Sequence, residues 1–235
     1  MKTFWTHRDE HSFNIVDSPV CHTEDGWDFW ALDFPSVFEP FTMKWIRDFC
    51  DPWHDFLDIG AWVGPTTLFA SRFAREVDAV EPDPTAFELL QQNVELNCDN
   101  VCLFNGAIST TKGMINMYSR INPGDSMTNI TGDGTLLGEV RTYTLDEFLV
   151  SHGRYSLMKI DIEGAESSIL PANKDLLGEF KVPLILSFHG TFYKDRDSIS
   201  NIKDAISVYD HFYNEDGVAV DLNSISPNFD TLLCL

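Results

Sequence analysis

The chain has 235 residues, of which 43% are hydrophobic, so it is long enough to bury one sizeable core, and a single domain is the default at this length. Its 37 acidic residues outnumber 16 basic ones, which gives a formal net charge of −21. Because nucleic-acid binders neutralise phosphates with clustered Lys and Arg, this balance argues against a nucleic-acid partner. It disfavours an anionic membrane surface for the same reason.

The sequence shows no pattern of a membrane segment or of a secreted protein. Its apolar stretches fall far short of the ~20 residues that span a bilayer. Residues 1–10 mix charged side chains with aromatic ones and lack the apolar core of a secretory signal. The 5 cysteines are odd in number and show no Cys-x-x-Cys spacing, which favours reduced thiols. We therefore expect a cytoplasmic protein that does not cross a membrane.

The first 50 residues differ from the rest of the chain because they show no alternation of strands and helices. We expect residues 1–50 to form a cap that ends in a helix from about Pro40 to Phe49, packed on a domain of residues 51–235. The aromatic residues that crowd this irregular, acidic segment are Trp5, Trp27, Phe29, Trp30, Phe34, Phe38 and Phe41.

From Phe56 onward, short apolar runs alternate with helix-forming stretches. The predicted strands are 56–59, 77–80, 101–107, 114–118, 157–162, 184–188, 218–220 and 231–234. The predicted helices are 65–74, 85–96, 145–150, 165–170 and 198–209. Strands joined by helices of this length require right-handed crossovers and a mostly parallel sheet covered on both faces. The sequence therefore predicts a doubly wound α/β fold.

Residues 120–138 interrupt this alternation. They are rich in Gly, Asn, Ser and Thr and show no hydrophobic period. Such a composition is typical of a mobile loop, and we interpret the segment as a lid over a site.

Ligands of open α/β sheets bind at the carboxyl ends of the strands, so residues that end strands are functional candidates. The first predicted strand runs into a turn in which Gly60 allows close backbone approach and Gly64 lets the next helix start near a ligand. Any strand-to-helix turn can also use glycine for its geometry alone. Glu81 ends the next strand, about 20 residues beyond Gly60, where an acid can accept hydrogen bonds from two ribose hydroxyls.

An acid at this place is compatible with a nicotinamide cofactor or with S-adenosylmethionine, since both contain an adenosine ribose. The phosphate-binding spacing Gly-x-Gly-x-x-Gly is absent, and Trp62 stands at the second glycine position. A cofactor without a pyrophosphate therefore fits the turn better.

A second group of polar residues follows two later strands. Period two places Asp161 and Glu163 on one side of the backbone, and Gly164 then allows the turn into a helix. His189 ends the next strand, which a doubly wound order places beside them. A histidine that faces two acids can act as a base or as a metal ligand. The alternatives are structural: the carboxylates favour a helix dipole, and the histidine only packs.

Six motifs occur together in one order along the chain. They are LDIGAWVG (57–64), VEPDP (80–84), NVELN (93–97), GAIS (106–109), TLDEF (144–148) and KIDIEGAE (159–166). This series resembles the FkbM-type S-adenosylmethionine-dependent methyltransferases over roughly residues 38–189. The resemblance implies a class I methyltransferase fold, which is Rossmann-like, and usually O-methylation of a hydroxyl on a sugar or another small polar compound.

The resemblance also implies which residues meet the cofactor. In it, the cofactor loop is formed by Asp58, Gly60, Ala61 and Gly64. Glu81 binds the ribose, and Glu39 lies near the methionine amino group. The complete set of expected cofactor-binding residues is Glu39, Asp58, Gly60, Ala61, Gly64, Glu81, Gly106 and Ala107. Two residues depart from the family pattern: Trp62 stands where a small or amide residue is common, and Ser187 where an acid is common.

Methyl transfer to an alcohol requires removal of a proton, so a base or a metal that lowers the alcohol's pKa is expected. Asp161, Glu163 and His189 are the candidate catalytic residues. If a divalent metal takes part, which we slightly disfavour, the same three residues are its expected ligands. His54 and His152 are expected at the surface. The expected partner is a small-molecule hydroxyl acceptor, with a glycan among the candidates.

Three other functions stay open at this point. The first is a cofactor-binding or inactive methyltransferase-like protein that acts through its N-terminal cap. A nicotinamide oxidoreductase is opposed by Trp62 and by the missing glycine spacing. A nucleic-acid methyltransferase should show a strand-end Asn-Pro-Pro-aromatic motif and basic patches, whereas this strand ends in residues 159–163.

Overall fold

The computed structural model describes residues 2–22, 28–151, 154–193, 195, 197–227 and 229–235. The strands are β1 (Thr3–Arg8), β2 (His11–Val16), β3 (Asp55–Ile59), β4 (Val77–Glu81), β5 (Val101–Asn105), β6 (Ala107–Ile108), β7 (Gly113–Ser119), β8 (Thr128–Asn129), β9 (Thr135–Tyr143), β10 (Tyr155–Ile160), β11 (Leu184–Ser187), β12 (Phe212–Asn214) and β13 (Thr231–Cys234). The helices are α1 (Pro40–Phe49), α2 (Pro65–Ala70), α3 (Pro84–Asn97), α4 (Leu145–Leu149), α5 (Glu166–Ala172), α6 (Lys174–Phe180) and α7 (Ser198–Ile206). Among these helices, none combines the length and the apolar character needed to cross a membrane.

A seven-stranded sheet carries the fold, with the strand order β12-β13-β11-β10-β3-β4-β5. Strands β11, β10, β3, β4 and β5 pair in parallel, whereas β13 runs antiparallel to both β11 and β12. The chain crosses from β5 at one edge back to β10 beside β3, so the strand order reverses between β3 and β10. The expected doubly wound α/β fold is confirmed, and the switch point identifies where its ligand crevice opens.

Local sequence explains where the helices around the crevice begin. Pro65 opens α2 and Pro84 opens α3, positions at which proline's missing N–H costs no hydrogen bond. Asp83 caps α3 by accepting hydrogen bonds from the backbone N–H groups of Thr85 and Ala86. The cap therefore fixes the start of α3 directly after the end of β4.

The sheet is covered on both faces, so every residue of β3 and β4 is buried, including their acidic residues. Alternate residues of β3 enter different cores: Phe56 packs with α2, α3 and the N-terminal aromatics, and Leu57 packs on the opposite face. Phe29, Trp30 and Phe34 are fully or almost fully buried in the first of these cores. The N-terminal segment is thus an integral part of one face.

The structure corrects the expectation that residues 1–50 are irregular before α1. Strands β1 and β2 form an antiparallel hairpin. The hairpin is tied to α3 because the side-chain carbonyls of Asn97 and Asn93 accept the backbone N–H groups of Asn14 and Val16 at 2.8 and 2.9 Å. Helix α1 spans the predicted residues. Trp27 lies outside the described residues.

The expectation of an irregular segment from 120 to 138 is wrong in its second half. Residues 128–129 form β8, and β9 begins at Thr135. Both join a small sheet of order β6-β9-β7-β8. A bulge at Met117 and Tyr118 shifts the register between β7 and β9, and β9 buries only Val140 and Thr142. The strand therefore carries little hydrophobic alternation for a sequence pattern to reveal.

Two smaller expectations also fail. The strand predicted at 218–220 is an isolated bridge between Ala219 and Tyr213, and the edge strand is β12. Helix α6 follows α5 almost without a break and was not predicted. Pro171 at the end of α5 interrupts the sequence pattern there.

Candidate functional site

A pocket of about 460 Å³ opens at the carboxyl ends of β3, β4, β10 and β11. Six of the eight residues predicted to bind the cofactor line it, namely Glu39, Gly60, Ala61, Glu81, Gly106 and Ala107. All three predicted catalytic residues line it as well, namely Asp161, Glu163 and His189. The two sets therefore share one cavity at the switch point of the sheet, and their functions stay predictions.

Asp58 and Gly64 are not lining residues; they support the turn from behind. The Asp58 carboxylate is fully buried, and its Oδ2 accepts hydrogen bonds from the Thr66 and Thr67 hydroxyls at 2.6 and 2.7 Å. These bonds fasten the start of α2 to the end of β3. Gly64 adopts φ +102°, and an added Cβ there would lie 2.8 Å from the Leu90 side chain.

Gly60 is required for a reason that the sequence pattern does not show. It adopts φ +84°, and an added Cβ would lie 1.8 Å from the backbone carbonyl oxygen of Asp161. The turn after β3 thus packs directly on the turn after β10. A side chain at residue 60 would push the two halves of the pocket apart before it filled any cofactor space.

Glu81 occupies the place expected of a ribose-binding acid. Its Oε2 accepts the backbone N–H of Trp62 at 2.8 Å and its Oε1 accepts the backbone N–H of Asp83 at 2.7 Å. Each carboxylate oxygen retains a second lone pair for a ligand hydroxyl. Burial without a nearby cation raises the pKa of Glu81 to about 8.

Glu39 offers a further acceptor to a ligand. It lies in the left-handed region at φ 37° directly before Pro40, and its Oε2 is buried without a hydrogen-bond partner among the described residues. Burial raises the pKa of Glu39, although Lys159 acts in the opposite direction. An unsatisfied carboxylate oxygen fits an ammonium or hydroxyl donor, which is what the methionine end of S-adenosylmethionine presents.

Trp62, one of the two departures from the family pattern, connects the turn after β3 with the segment around Gly124. It adopts φ 50°, and its indole N–H donates to the backbone carbonyl of Gly124 at 2.8 Å. The Gly124 N–H in turn donates to Asp83 Oδ2 at 2.7 Å. Residues 120–127, here called the strap, are thereby held over the cofactor end of the pocket, which Asp125 also lines.

At the other end of the pocket, the structure brings the predicted catalytic residues together. His189 Nε2 lies 3.3 Å from Asp161 Oδ1 and 3.2 Å from Glu163 Oε1. His189 Nδ1 lies 2.8 Å from Glu166 Oε1. The Glu166 side chain is fully buried and also accepts the backbone N–H groups of Ile162 and Gly164. It therefore holds both the turn and the imidazole ring.

Two cations in this cluster were not identified from the sequence. Lys159 is buried and donates to Asp161 Oδ2 at 2.8 Å. Arg120, from the strap, donates to Glu163 Oε2 at 3.1 Å and lies 3.5 Å above the centre of the Phe192 ring. A lysine inside an apolar strand, two residues before an acid, was a usable signal for Lys159. Nothing in the local sequence distinguishes Arg120.

Burial and these ion pairs together determine the protonation states of the cluster. Burial acts to raise the pKa of Asp161, but Lys159 and His189 outweigh it and hold that pKa below its usual value. Burial acts to lower the pKa of His189, but Glu163 and Glu166 raise it to about 11. Burial raises the pKa of Glu163. At neutral pH the free protein thus carries an ionised Asp161 beside a protonated His189, so the carboxylates are better placed than the imidazole to accept a proton.

The structure describes only one of the two histidines named above as surface residues. The His54 ring is half exposed and pairs with Asp51, as a surface residue would. His152 lies outside the described residues.

Comparisons with known proteins agree with this geometry. Residues 58–213 match the family model described as the methyltransferase FkbM domain. The chain is similar to a solved structure of the methyltransferase FkbM from Methylobacillus flagellatus, with 17% identity, a TM-score of 0.50, and coverage of 78% of this chain and 43% of that one. It thus spans less than half of that relative's length. This likeness shows a class I methyltransferase fold.

Two further solved structures are more distant. One is an rRNA methylase from Streptococcus thermophilus, with 11% identity, a TM-score of 0.47, and coverage of 82% of this chain and 90% of that one. The other is TYW2 from M. jannaschii in complex with AdoMet, with 12% identity, a TM-score of 0.48, and coverage of 98% and 83%. No curated protein matches the sequence.

Proposed function

The chain belongs to the FkbM methyltransferase family, which consists of S-adenosylmethionine-dependent enzymes, and on this premise we propose that it transfers a methyl group to a hydroxyl of a sugar or another small polar acceptor. The observation that carries the proposal is the single pocket at the switch point. One end of it carries hydrogen-bond acceptors suited to an adenosine and an amino acid, and the other end carries an acid cluster.

The cofactor end fits S-adenosylmethionine. Glu81 offers a free lone pair on each oxygen to the ribose, and Glu39 offers an unpartnered oxygen to the amino group. Gly106 and Ala107 line the cavity where the adenine is expected. When bound, the cofactor supplies a methyl group on a positively charged sulfur.

The acid cluster positions the acceptor. Methyl transfer is an in-line displacement, so catalysis depends mainly on aligning the hydroxyl oxygen with the methyl carbon. Asp161 Oδ1 and Glu163 Oε1 can both accept a hydrogen bond from that hydroxyl. Because burial raises the pKa of Glu163 whereas that of Asp161 is lowered, the Glu163 carboxylate is the stronger base of the two and the better candidate to take the proton. Lys159 and Arg120 keep both carboxylates turned into the pocket.

The strongly acidic surface disfavours a nucleic-acid acceptor on electrostatic grounds. Lys159 and the protonated His189 line the pocket, Arg120 lies next to it, and all three are already paired with carboxylates. A phosphate would therefore find no unpaired cation among these three residues. A neutral, hydroxyl-rich acceptor fits this balance best.

Two measurements test the proposal. Titration calorimetry with S-adenosylmethionine should show one site, weakened by Glu81→Ala and unaffected by Glu95→Gln, a matched change of an exposed acid on α3. Mass spectrometry should then detect S-adenosylhomocysteine and a methylated product within a panel of glycosides and polyols. Cofactor binding without transfer to any member of the panel would instead favour a binding protein.

A further inference from the structure

The acid cluster has the composition and spacing of a cation site. Asp161, Glu163 and His189 each offer one ligand atom, these atoms lie within 4.8 Å of one another, and all three residues line the pocket. Asp161 and Glu163 come from the turn directly after β10, and His189 follows the end of β11. We propose that these three atoms bind one divalent metal ion of the first transition row, at the acceptor end of the pocket.

The distances agree with ligation of one ion. An octahedral divalent ion with ligands at about 2.1 Å separates neighbouring ligand atoms by about 3.0 Å. The imidazole nitrogen lies 3.3 Å from the Asp161 oxygen and 3.2 Å from the Glu163 oxygen. These two separations therefore exceed the ideal value by only a few tenths of an ångström. Two carboxylate oxygens and one imidazole nitrogen suit Mn²⁺, Fe²⁺ or Zn²⁺ better than Ca²⁺.

Groups outside the cluster orient each ligand. Lys159 occupies Asp161 Oδ2, Arg120 occupies Glu163 Oε2, and Glu166 occupies His189 Nδ1. In each residue one polar atom is thus held by a fixed partner and the other is left facing the common point. Such outer partners are typical of metal sites, the histidine–carboxylate pair in particular. Surface acids that lie close together by chance are not expected to be oriented in this way.

As ligands, Asp161 and Glu163 would each contribute a carboxylate oxygen and His189 a neutral imidazole nitrogen. The ion would therefore displace the proton that the imidazole carries in the free protein. The remaining coordination positions face the cavity, so a hydroxyl of the acceptor can occupy one of them.

The role in methyl transfer rests on the proposed function. Coordination lowers the pKa of the hydroxyl, so its O–H bond breaks and the proton leaves to water. The oxygen then forms a bond to the methyl carbon while the carbon–sulfur bond breaks and its electron pair stays on sulfur. With the ion in place, Asp161 and Glu163 act as its ligands and do not accept the proton themselves.

The site can be tested with Mn²⁺ alone and the full chain, free of cofactor and acceptor. Electron paramagnetic resonance should show one bound Mn²⁺ per chain, and pulsed spectra should show coupling to an imidazole nitrogen. Glu163→Gln should weaken Mn²⁺ binding about 100-fold or more, since loss of an outer partner alone costs 10- to 100-fold. His189→Gln should remove the nitrogen coupling. Glu95→Gln is the control, and circular dichroism checks that every variant is folded.

Absence of bound Mn²⁺, or a nitrogen coupling that survives His189→Gln, overturns the site. Methyl transfer that continues at full rate in metal-free buffer with a chelator overturns its catalytic role but leaves the proposed function standing. Conversely, Mn²⁺ binding with the nitrogen coupling, in a protein that shows no methyl transfer, supports the site and removes the proposed function.

Discussion

The two ends of the pocket handle acidic side chains in opposite ways. At the cofactor end, Glu81 accepts two backbone N–H groups, and burial raises its pKa to about 8. At the acceptor end, Asp161 pairs with Lys159 and Glu163 with Arg120. Glu81 is thus suited to hydrogen bonds with neutral hydroxyls, whereas the carboxylates of the acceptor end are held as ion pairs.

The ends also differ in how they are assembled. The partners of Glu81 are backbone groups: the Asp83 N–H directly after its own strand and the Trp62 N–H in the turn after the neighbouring strand β3. The acceptor end collects side chains from β10, β11 and the strap, which lie far apart in the chain. Mutations at the cofactor end should therefore change affinity, and mutations at the acceptor end should change turnover.

The largest expected effect is on turnover. Asp161→Asn should lower turnover about 100-fold or more, because it removes a charge that faces the acceptor hydroxyl. Cofactor affinity should remain close to that of the wild type, since Glu81 and Glu39 are unchanged. Methyl-transfer kinetics and titration calorimetry on the same preparation check this. Wild-type turnover in Asp161→Asn would remove the acid cluster from the reaction.

The next effect is on cofactor affinity. Glu81→Ala should weaken S-adenosylmethionine binding about 30-fold, equivalent to about 2 kcal/mol, because two hydroxyl contacts lose their acceptor. Turnover at saturating cofactor should change much less. Titration calorimetry against Glu95→Gln measures the difference, and an unchanged dissociation constant would show that Glu81 does not bind the ribose.

The strap contacts both ends of the pocket, and Arg120 is its contact with the acceptor end. Removal of the Arg120 side chain should therefore affect the acceptor end more than the cofactor end. Arg120→Ala removes the contacts with Glu163 and Phe192 and should raise the acceptor KM about tenfold, with faster hydrogen exchange in residues 120–127. Arg141→Ala is the matched control, because Arg141 stacks on Tyr143 outside the pocket lining.

Limited proteolysis tests the lid interpretation of the same segment. The strap should be cut in the free protein and protected by cofactor and acceptor together. Equal cleavage with and without ligands would make it a fixed wall of the pocket.

The smallest effect is on stability and depends on pH. The pKa of Glu81 is about 8 in the folded protein and near 4.5 without burial, so between these values the unfolded chain releases a proton that the folded chain keeps. Wild-type stability therefore falls as pH rises from about 5 to 8. Glu81→Gln cannot titrate, so its melting temperature relative to wild type should rise over that range by a few degrees. A constant difference, as expected for Glu95→Gln, would contradict the buried, uncompensated carboxylate.

The sequence by itself determined the features that arise from neighbouring residues. Strand β3, Gly60 and Glu81 were identified because a buried parallel strand reads as an apolar run and its turn follows directly in the chain. The same local logic located α1 and the order of the main strands. It also brought His189 to the end of the strand adjacent to Asp161 and Glu163, as the order of a doubly wound sheet implies. The period-two argument for those two acids is wrong, because β10 ends at Ile160 and Glu163 lies in the left-handed region at φ 56°.

Only the tertiary structure decided the contacts between segments that are distant in the chain. The N-terminal hairpin forms because Asn93 and Asn97 of α3 satisfy its backbone, and β9 pairs with β7 across a bulge. Arg120 reaches Glu163 from a segment without hydrophobic period. A sequence pattern reports burial and spacing along one element, whereas the partner of a polar side chain depends on which other element the fold brings beside it.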